Sequence, residues 1–245
     1  MGRAIVAGGK PAMEGPSGSI LVSELAVGSS VYLMENGTAM EYLVVNHGIP
    51  RGSSLYDVSC NGTWLVRKDI YENRQFNSSD NNSYKESTIH TYLNKTFFNL
   101  FGNAERTAIK QVKIPYVNGL GGSDVASGAN GLTTKVFLLG GYEVGFTTSD
   151  WDSFQIDGAK LDYFDNGNQS NSAARSKRIA KFNGSASEWY LRSPVNYDTA
   201  QPFTIINTGN FGYCLCTISK GIRPALVLSS TAMFDAETMI LKGVT

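Results

Sequence analysis

The sequence predicts an α+β fold that is loop-rich, with two helices set among short twisted antiparallel sheets. Three observations predict it. Runs dense in β-branched and aromatic residues recur between turn signals, and two segments with helical spacing interrupt them. Charged residues make up only 17% of the 245-residue chain, under the usual ~25%, with Gly, Asn, Ser and Thr in their place. A chain of this length lies near the upper limit for one hydrophobic core. One large domain is therefore expected at 29–228, with an arm at 1–28 and a tail at 229–245.

The opening MGRAIVAGGKPAMEGPSGSI is rich in Gly and Pro and short of large apolar residues. Such a stretch buries little by itself and reads as an attachment arm. In SSVYLMENGTAMEYLVVNHG two β-rich runs flank Asn36-Gly37, the commonest two-residue hairpin signal. TWLVRKDIY reads as a further strand. Ser87 then opens a helix in which Ile89, Leu93, Phe97 and Phe101 recur every fourth residue, with Gly102 as its C′ residue. Asn103 is positioned to cap a second helix, AERTAIKQ. VKIPYV reads as an edge strand because Pro115 donates no hydrogen bond. A Gly- and Ser-rich loop fills 118–134, KVFLLGGYEVGF returns to buried character, and Asp150 to Ser176 is irregular. In that last stretch Trp151, Phe154, Tyr163 and Phe164 are expected to fasten the loop to the body. EWYLRS, PFTIINT, FGYCLCTIS and GIRPALVL complete the chain as strands.

Composition also removes functions. Twenty-one basic and twenty-one acidic residues cancel, which leaves no electrostatic footprint for nucleic acid or an anionic membrane surface. No apolar run is long enough to insert into a bilayer, and no apolar h-region marks the N-terminus for export. Motifs for acyl transfer, phosphate cradling, zinc hydrolysis and EF-hand binding are absent. His47 and His90 are the only histidines, too few for a His-centred triad or multi-histidine metal site. The Gly119–Asp124 stretch lacks the helix and lysine of a phosphate loop. Asp150, Asp152, Asp157, Asp162 and Asp165 form an acidic series that matches no cation cage and reads as a solvated loop. No cofactor and no metal site is expected.

Cys214 and Cys216 stand two apart, which on a flat strand places both thiols on one face. They cannot bridge each other there, though a soft metal could be gripped between them. Around them, Val195–Ser219 carries one charge, Asp198, and no Lys, Glu, Met or Trp. Aromatic residues mixed with Asn, Thr, Ser and Gly suit a recognition surface of rigid rings and adaptable polar groups. A buried sheet is the competing reading.

The flanks of this stretch are Glu188-Trp189-Tyr190-Leu191-Arg192-Ser193-Pro194 and Gly221-Ile222-Arg223-Pro224-Ala225-Leu226. This W-x-L-R-S-P and G-I-R-P-A-L pair resembles the C-terminal half of C-type-lectin-fold proteins related to the formylglycine-generating enzyme. The resemblance is specifically to the variable proteins of diversity-generating retroelements in phages and gut bacteria, and it runs weakly from Ser29 to Leu228. It implies a C-type-lectin-like fold. It also implies a window, Val195–Ser219, rewritten by adenine-directed mutagenesis, in which codons for Lys, Glu, Gln, Met and Trp do not arise. Gln201 is the one exception there. The calcium motifs of sugar-binding lectins and the cysteine spacing of the formylglycine-generating enzymes are not matched.

The expected function is therefore ligand binding without chemistry, by a phage tail or virion adhesin made in the cytoplasm or, alternatively, a bacterial surface protein. Its partner would be a host-surface protein or glycan. The arm would attach it to other virion proteins, and self-association stays open. The expected ligand-facing residues are Asn196, Tyr197, Asp198, Thr199, Phe203, Ile205, Asn207, Asn210, Phe211, Tyr213, Leu215 and Thr217. Period two places Phe203, Ile205 and Asn207 on one face, as it does Tyr213, Leu215 and Thr217; the opposite phase exposes Thr204, Ile206, Cys214 and Cys216. Trp189, Leu191, Arg192, Arg223 and Pro224 are expected to form the scaffold, the two arginines acting as buried structural forks. The alternatives are a thiol/metal oxidase using Cys214 and Cys216, and a purely structural virion protein.

Overall fold

The computed structural model describes residues 18–165, 167 and 171–244. Most of the expected attachment arm lies outside the described residues. Ten strands build two five-stranded sheets: β1 (Ser30–Glu35), β2 (Thr38–His47), β3 (Thr63–Arg67), β4 (Glu72–Gln75), β5 (Val136–Phe137), β6 (Trp189–Pro194), β7 (Pro202–Ile205), β8 (Phe211–Tyr213), β9 (Ser219–Ile222) and β10 (Ala225–Leu228). The first sheet, in order β5-β10-β3-β2-β1, is antiparallel throughout. The second, β8-β7-β6-β9-β4, is mixed, because β6 and β9 run parallel where Trp189 lies opposite Gly221.

Local chemistry accounts for the elements. Asn36 and Gly37 both take positive φ, 51° and 79°, the twist a two-residue hairpin requires, and Glu35 faces Thr38 across it. Ser87 Oγ accepts the His90 N–H at 3.1 Å and caps α1 (Thr88–Tyr92). A π-turn at Leu93–Phe97 and a 3₁₀ turn at Phe98–Leu100 prolong it, and the four-residue series from Ile89 to Phe101 is buried. Gly102 is not a left-handed C′ residue: it is extended, φ −69° and ψ 175°, and stands as N-cap of α2 (Asn103–Ala108). That helix stops short of the expected AERTAIKQ because Ile109 turns extended and bridges Leu228. Val112–Ile114 pairs only with Leu132–Thr134, in a two-stranded sheet. A third helix, α3 (Ser172–Arg178), rises from the supposedly irregular stretch, its first amides held by Asn171 Oδ1 at 3.0 and 3.2 Å.

The α+β, C-type-lectin-like expectation is accordingly corrected. The chain is mostly β, with 35% strand and 18% helix spread over six sheets among the described residues. The reason lies in the helical segments, each stopped within two turns or distorted, while the short strands multiply around them. At the ends, Ser19–Leu21 from the expected arm pairs with Ala232–Asp235 from the expected tail, which pairs in turn with Leu241–Val244. Val22, Phe234 and Leu241 join the same core as the sheets.

Arg192, at the centre of β6, organises the interior. Its side chain and that of Glu143 are wholly buried, and they meet through two bonds of 2.5 and 2.7 Å. The remaining guanidinium donors reach the carbonyls of Pro115, Leu138 and Asp157 at 3.0, 3.1 and 2.8 Å. Glu143 also accepts from Tyr56 OH and from the Gly140 amide, both at 2.9 Å. Asp157 is not a solvated loop residue as the acidic series suggested: it is buried beside this network and accepts from Ser193 Oγ at 2.5 Å. Burial pushes its carboxyl up from the ordinary range, against the pull of Arg192. The network ties three irregular segments to the sheet where no strand ladder could. Replacing one partner strands a buried charge, which costs about 3–5 kcal/mol. Glu143→Gln is therefore expected to lower the unfolding free energy, measured by urea denaturation, by about 3–5 kcal/mol, whereas a loss below about 1 kcal/mol would show the pair to be dispensable.

Candidate functional site

The window Val195–Ser219 contains β7, β8, the turn at 206–210 that joins them, and two loops. The first loop follows β6 and the second joins β8 to β9. The expected strand FGYCLCTIS breaks here: β8 ends at Tyr213, and residues 214–218 form an irregular connection that turns at 216–218. Cys214 and Cys216 therefore do not share a strand face: Cys216 is buried and Cys214 half-buried.

The twelve expected ligand-facing residues divide. Tyr197, Tyr213 and Leu215 are 81%, 51% and 42% exposed, and Ile218, which the sequence reading passed over, is 46% exposed. Thr199 and Asn207 are exposed as well; Asp198, Asn210, Phe211 and Thr217 are half-buried. Phe203, Ile205 and Asn196 are buried and face no ligand. Period two failed on β7 because the strand has no outward face. The Asp150–Phe154 loop covers it, with Phe154 stacked on Phe203 at 4.0 Å and Trp151 edge-on to Phe203 at 5.3 Å. Phe146, Phe154, Phe203, Phe211 and Trp151 pack as one aromatic cluster, and Tyr213 forms its exposed rim, 5.4 Å from Trp151. Each such pair adds about 0.5–1.5 kcal/mol beyond area burial.

The scaffold residues are buried: Trp189, Leu191, Arg192, Arg223 and, between β9 and β10, Pro224. Trp189 Nε1 donates to Arg178 O at 3.0 Å, Arg223 Nε to Arg67 O at 2.8 Å, and the Arg67 amide to Pro224 O at 2.8 Å. Both flanking motifs are thus welded into the sheets on either side of the window.

Groups outside the window hold its backbone. Tyr190 OH reaches Leu215 O and Ile218 O at 3.3 and 2.5 Å. Buried Asn82 is the corresponding anchor of the first loop. Its Nδ2 donates to Asp198 O and Gln201 O at 2.8 and 3.2 Å, and its own amide to Thr199 O at 2.9 Å. Gly121 N, Asn77 N and Gln75 Nε2 take Asp198 O, Cys216 O and Thr217 O at 3.0, 3.2 and 2.7 Å. Arg178 Nε takes Gly209 O at 2.7 Å. Within the window the two loops join through Cys216 N and Ala200 O at 2.8 Å. Nothing in the sequence marked Asn82, Tyr190 or Arg178 for this role, since each is separated along the chain from the carbonyls it holds.

Two positions in the window are backbone-limited. Gly209 has φ 81°, and a Cβ there would lie 2.1 Å from Arg175 O. Tyr197 occupies the left-handed region too, φ 68°, a strained state for a bulky residue. Its amide is tied to Asn196 Oδ1 at 3.1 Å. On the sheet side the window borders a polar cleft of about 450 Å³ lined by Glu188, Ile206, Asn207, Ser219 and Lys220, among others. Glu188 is already engaged there by Thr204 Oγ1 at 2.6 Å and Lys220 Nζ at 2.5 Å.

Residues 61–230 match a family described as a domain of unknown function, DUF6273. The chain belongs to this family. The match takes in the window, both flanking motifs and the buried Arg192–Glu143 pair, and leaves out the β1–β2 hairpin. Comparison with curated proteins and with solved structures gives no match.

The thiols are poorly suited to chemistry. Burial pushes Cys216 up to about 12 and raises Cys214, whose Sγ lies 3.4 Å from Tyr190 OH; Cys60 is likewise pushed up to about 12 by burial. At neutral pH these groups are protonated, and the thiolate is the reactive form. Among the described residues no three His, Cys, Asp or Glu side chains gather into a set that could hold a metal ion. In the native protein at pH 7.5, Ellman's reagent is expected to react slowly, with all three thiols titrating rapidly only after unfolding in denaturant. Two equivalents released at once from the native state would restore the oxidase reading.

Proposed function

We propose that this protein is a ligand-binding display protein: a fixed frame presents the exposed side chains of Val195–Ser219 to a host-surface protein or glycan, and that window is diversified between variants. The observation that carries the reading is the division of labour in the window. Its carbonyls are held by Tyr190, Asn82, Gln75, Asn77, Gly121 and Arg178, all outside it, while Tyr197, Tyr213, Leu215 and Ile218 point to solvent. A backbone fixed by outside donors keeps its course whatever side chains it bears, which is what a variable recognition surface demands. Exposed aromatic and aliphatic residues on such a frame supply contact area at low entropic cost. The likeness of the two flanking motifs to retroelement variable proteins supports the same reading and suggests a virion or bacterial cell-surface setting.

Two measurements test it. Serine at Tyr197, Tyr213, Leu215 or Ile218 is expected to change stability by no more than about 0.5 kcal/mol, whereas Gly209→Ala is expected to cost upwards of 1 kcal/mol (roughly) in thermal unfolding. Sequences of sister isolates are expected to differ at the exposed positions and to keep Gly209, Phe203, Ile205 and Thr204, with an adenine-rich near-copy of the segment encoded nearby. A window as constant as its flanks would instead favour a purely structural protein.

A further inference from the structure

A second pocket, of about 410 Å³, opens away from the window: none of its lining residues belongs to Val195–Ser219. β2, the segment after β3, the C-terminal end of α3 and the β9–β10 connection converge on it. Lys68, Lys177, Lys181 and Arg223 supply four cationic groups, Asp69 the one carboxylate, and Leu43, Tyr163 and Ile179 apolar wall.

Arg223 is the unusual member. It is 1% exposed, and no carboxylate lies within ion-pair distance of it among the described residues. Nε is spent on Arg67 O at 2.8 Å, the guanidinium carbon lies 5.1 Å from the Trp189 ring, and buried Nη1 has no hydrogen-bond partner among the described residues. Burial drives its pKa down to about 10 against the weaker pull of Tyr163 and Asp69, so the cation persists at neutral pH with no carboxylate in ion-pair contact. A buried charge with no direct ion-pair partner is costly, and a bound anion lowers that cost. The rim adds attraction. Lys68 shares its charge with Glu41 at 2.9 Å and Lys177 with Asp165 at 3.1 Å. Lys181 is exposed, and its ammonium has no ion-pair partner among the described residues. Asp69 Oδ1 is engaged by the Lys181 backbone amide at 2.9 Å.

We propose that this pocket binds a small organic anion, a phosphate or sulfate monoester, with the tetrahedral oxyanion on Arg223 and Lys181 and the organic part against Tyr163, Leu43 and Ile179. A planar guanidinium with an unpartnered Nη1 donor suits an oxygen of an oxyanion, and the exposed ammonium of Lys181 suits another. The apolar wall gives an ester the advantage over the bare ion.

The test uses the full chain at constant ionic strength, titrated with inorganic phosphate, phenyl phosphate and phenyl sulfate, read by calorimetry and by thermal unfolding. Saturable binding in the millimolar range or tighter is expected, with an ester bound more tightly than inorganic phosphate. The preferred ester assigns the source, phosphate or sulfate. Lys181→Gln, at an exposed position, is expected to weaken binding about tenfold and to leave the melting temperature of the free protein unchanged. Arg223→Lys keeps the charge but loses the fork and is expected to abolish binding. Should that variant fail to fold, the Lys177→Gln/Lys181→Gln double variant decides, with a larger loss than either single change. Tyr213→Ser is expected to bind the anion as the wild type does, which separates this pocket from the window. Absence of saturable binding for all three anions, or unchanged binding in both lysine variants, overturns the proposal.

Discussion

The fork between Arg192 and Glu143 is the constraint on which the rest of the structure depends. All five guanidinium donors are used, two on the carboxylate and three on carbonyls from separate irregular segments. Those segments carry little regular structure, so their burial needs hydrogen-bond partners that a sheet does not provide. One arginine in the middle of β6 supplies them. A lysine could not, because a single ammonium cannot reach five fixed acceptors in one plane.

From that centre the molecule divides into layers of decreasing constraint. β6 is buried on both faces, β7 beside it is buried under the aromatic cluster, and β8 at the sheet edge is only partly covered. Exposure therefore grows with distance from Arg192 along the order β6-β7-β8, and it is greatest on the two loops. What keeps those loops from moving freely is a small group of side chains that grip main-chain oxygens: Tyr190, Asn82, Gln75 and Arg178. Since a carbonyl is the same in every residue type, such grips are indifferent to the side chains of the residues they hold. Recognition by the window and retention of the fold are in this way separated physically; the separation fails where the backbone itself is special, as at Gly209, and where a window side chain is part of the core, as at Phe203 and Ile205.

The second flank ties the window to the anion pocket. Gly221–Leu226 passes from the mixed sheet into the antiparallel one, and Arg223 sits at the crossing, beneath Trp189 from the first flank. The two motifs that bracket the window thus meet each other in the core. Arg223 has a structural bond to Arg67 and an unused donor, so one residue both closes the frame and lines a pocket.

The sequence by itself determined the local pieces: the hairpin at Asn36-Gly37, the Ser87-capped helix with its buried four-residue series and the aromatic staples of the Asp150–Phe164 stretch. Each is set by contacts among residues close in the chain, or by a backbone preference of one residue type, and so leaves a readable pattern. The expected strand VKIPYV, by contrast, is split at Pro115 between two small sheets. The overall balance toward β, the third helix and the burial of Asp157 were decided by tertiary structure. So was the face of the window that meets solvent. Alternation along PFTIINT speaks only of two opposite faces; it was the distant Trp151 and Phe154, folding over one of them, that left Phe203 and Ile205 inside and Tyr213 at the rim. The grips of Asn82 and Tyr190 on the loops join residues separated by up to 119 positions, and such a contact exists only once the sheets have assembled.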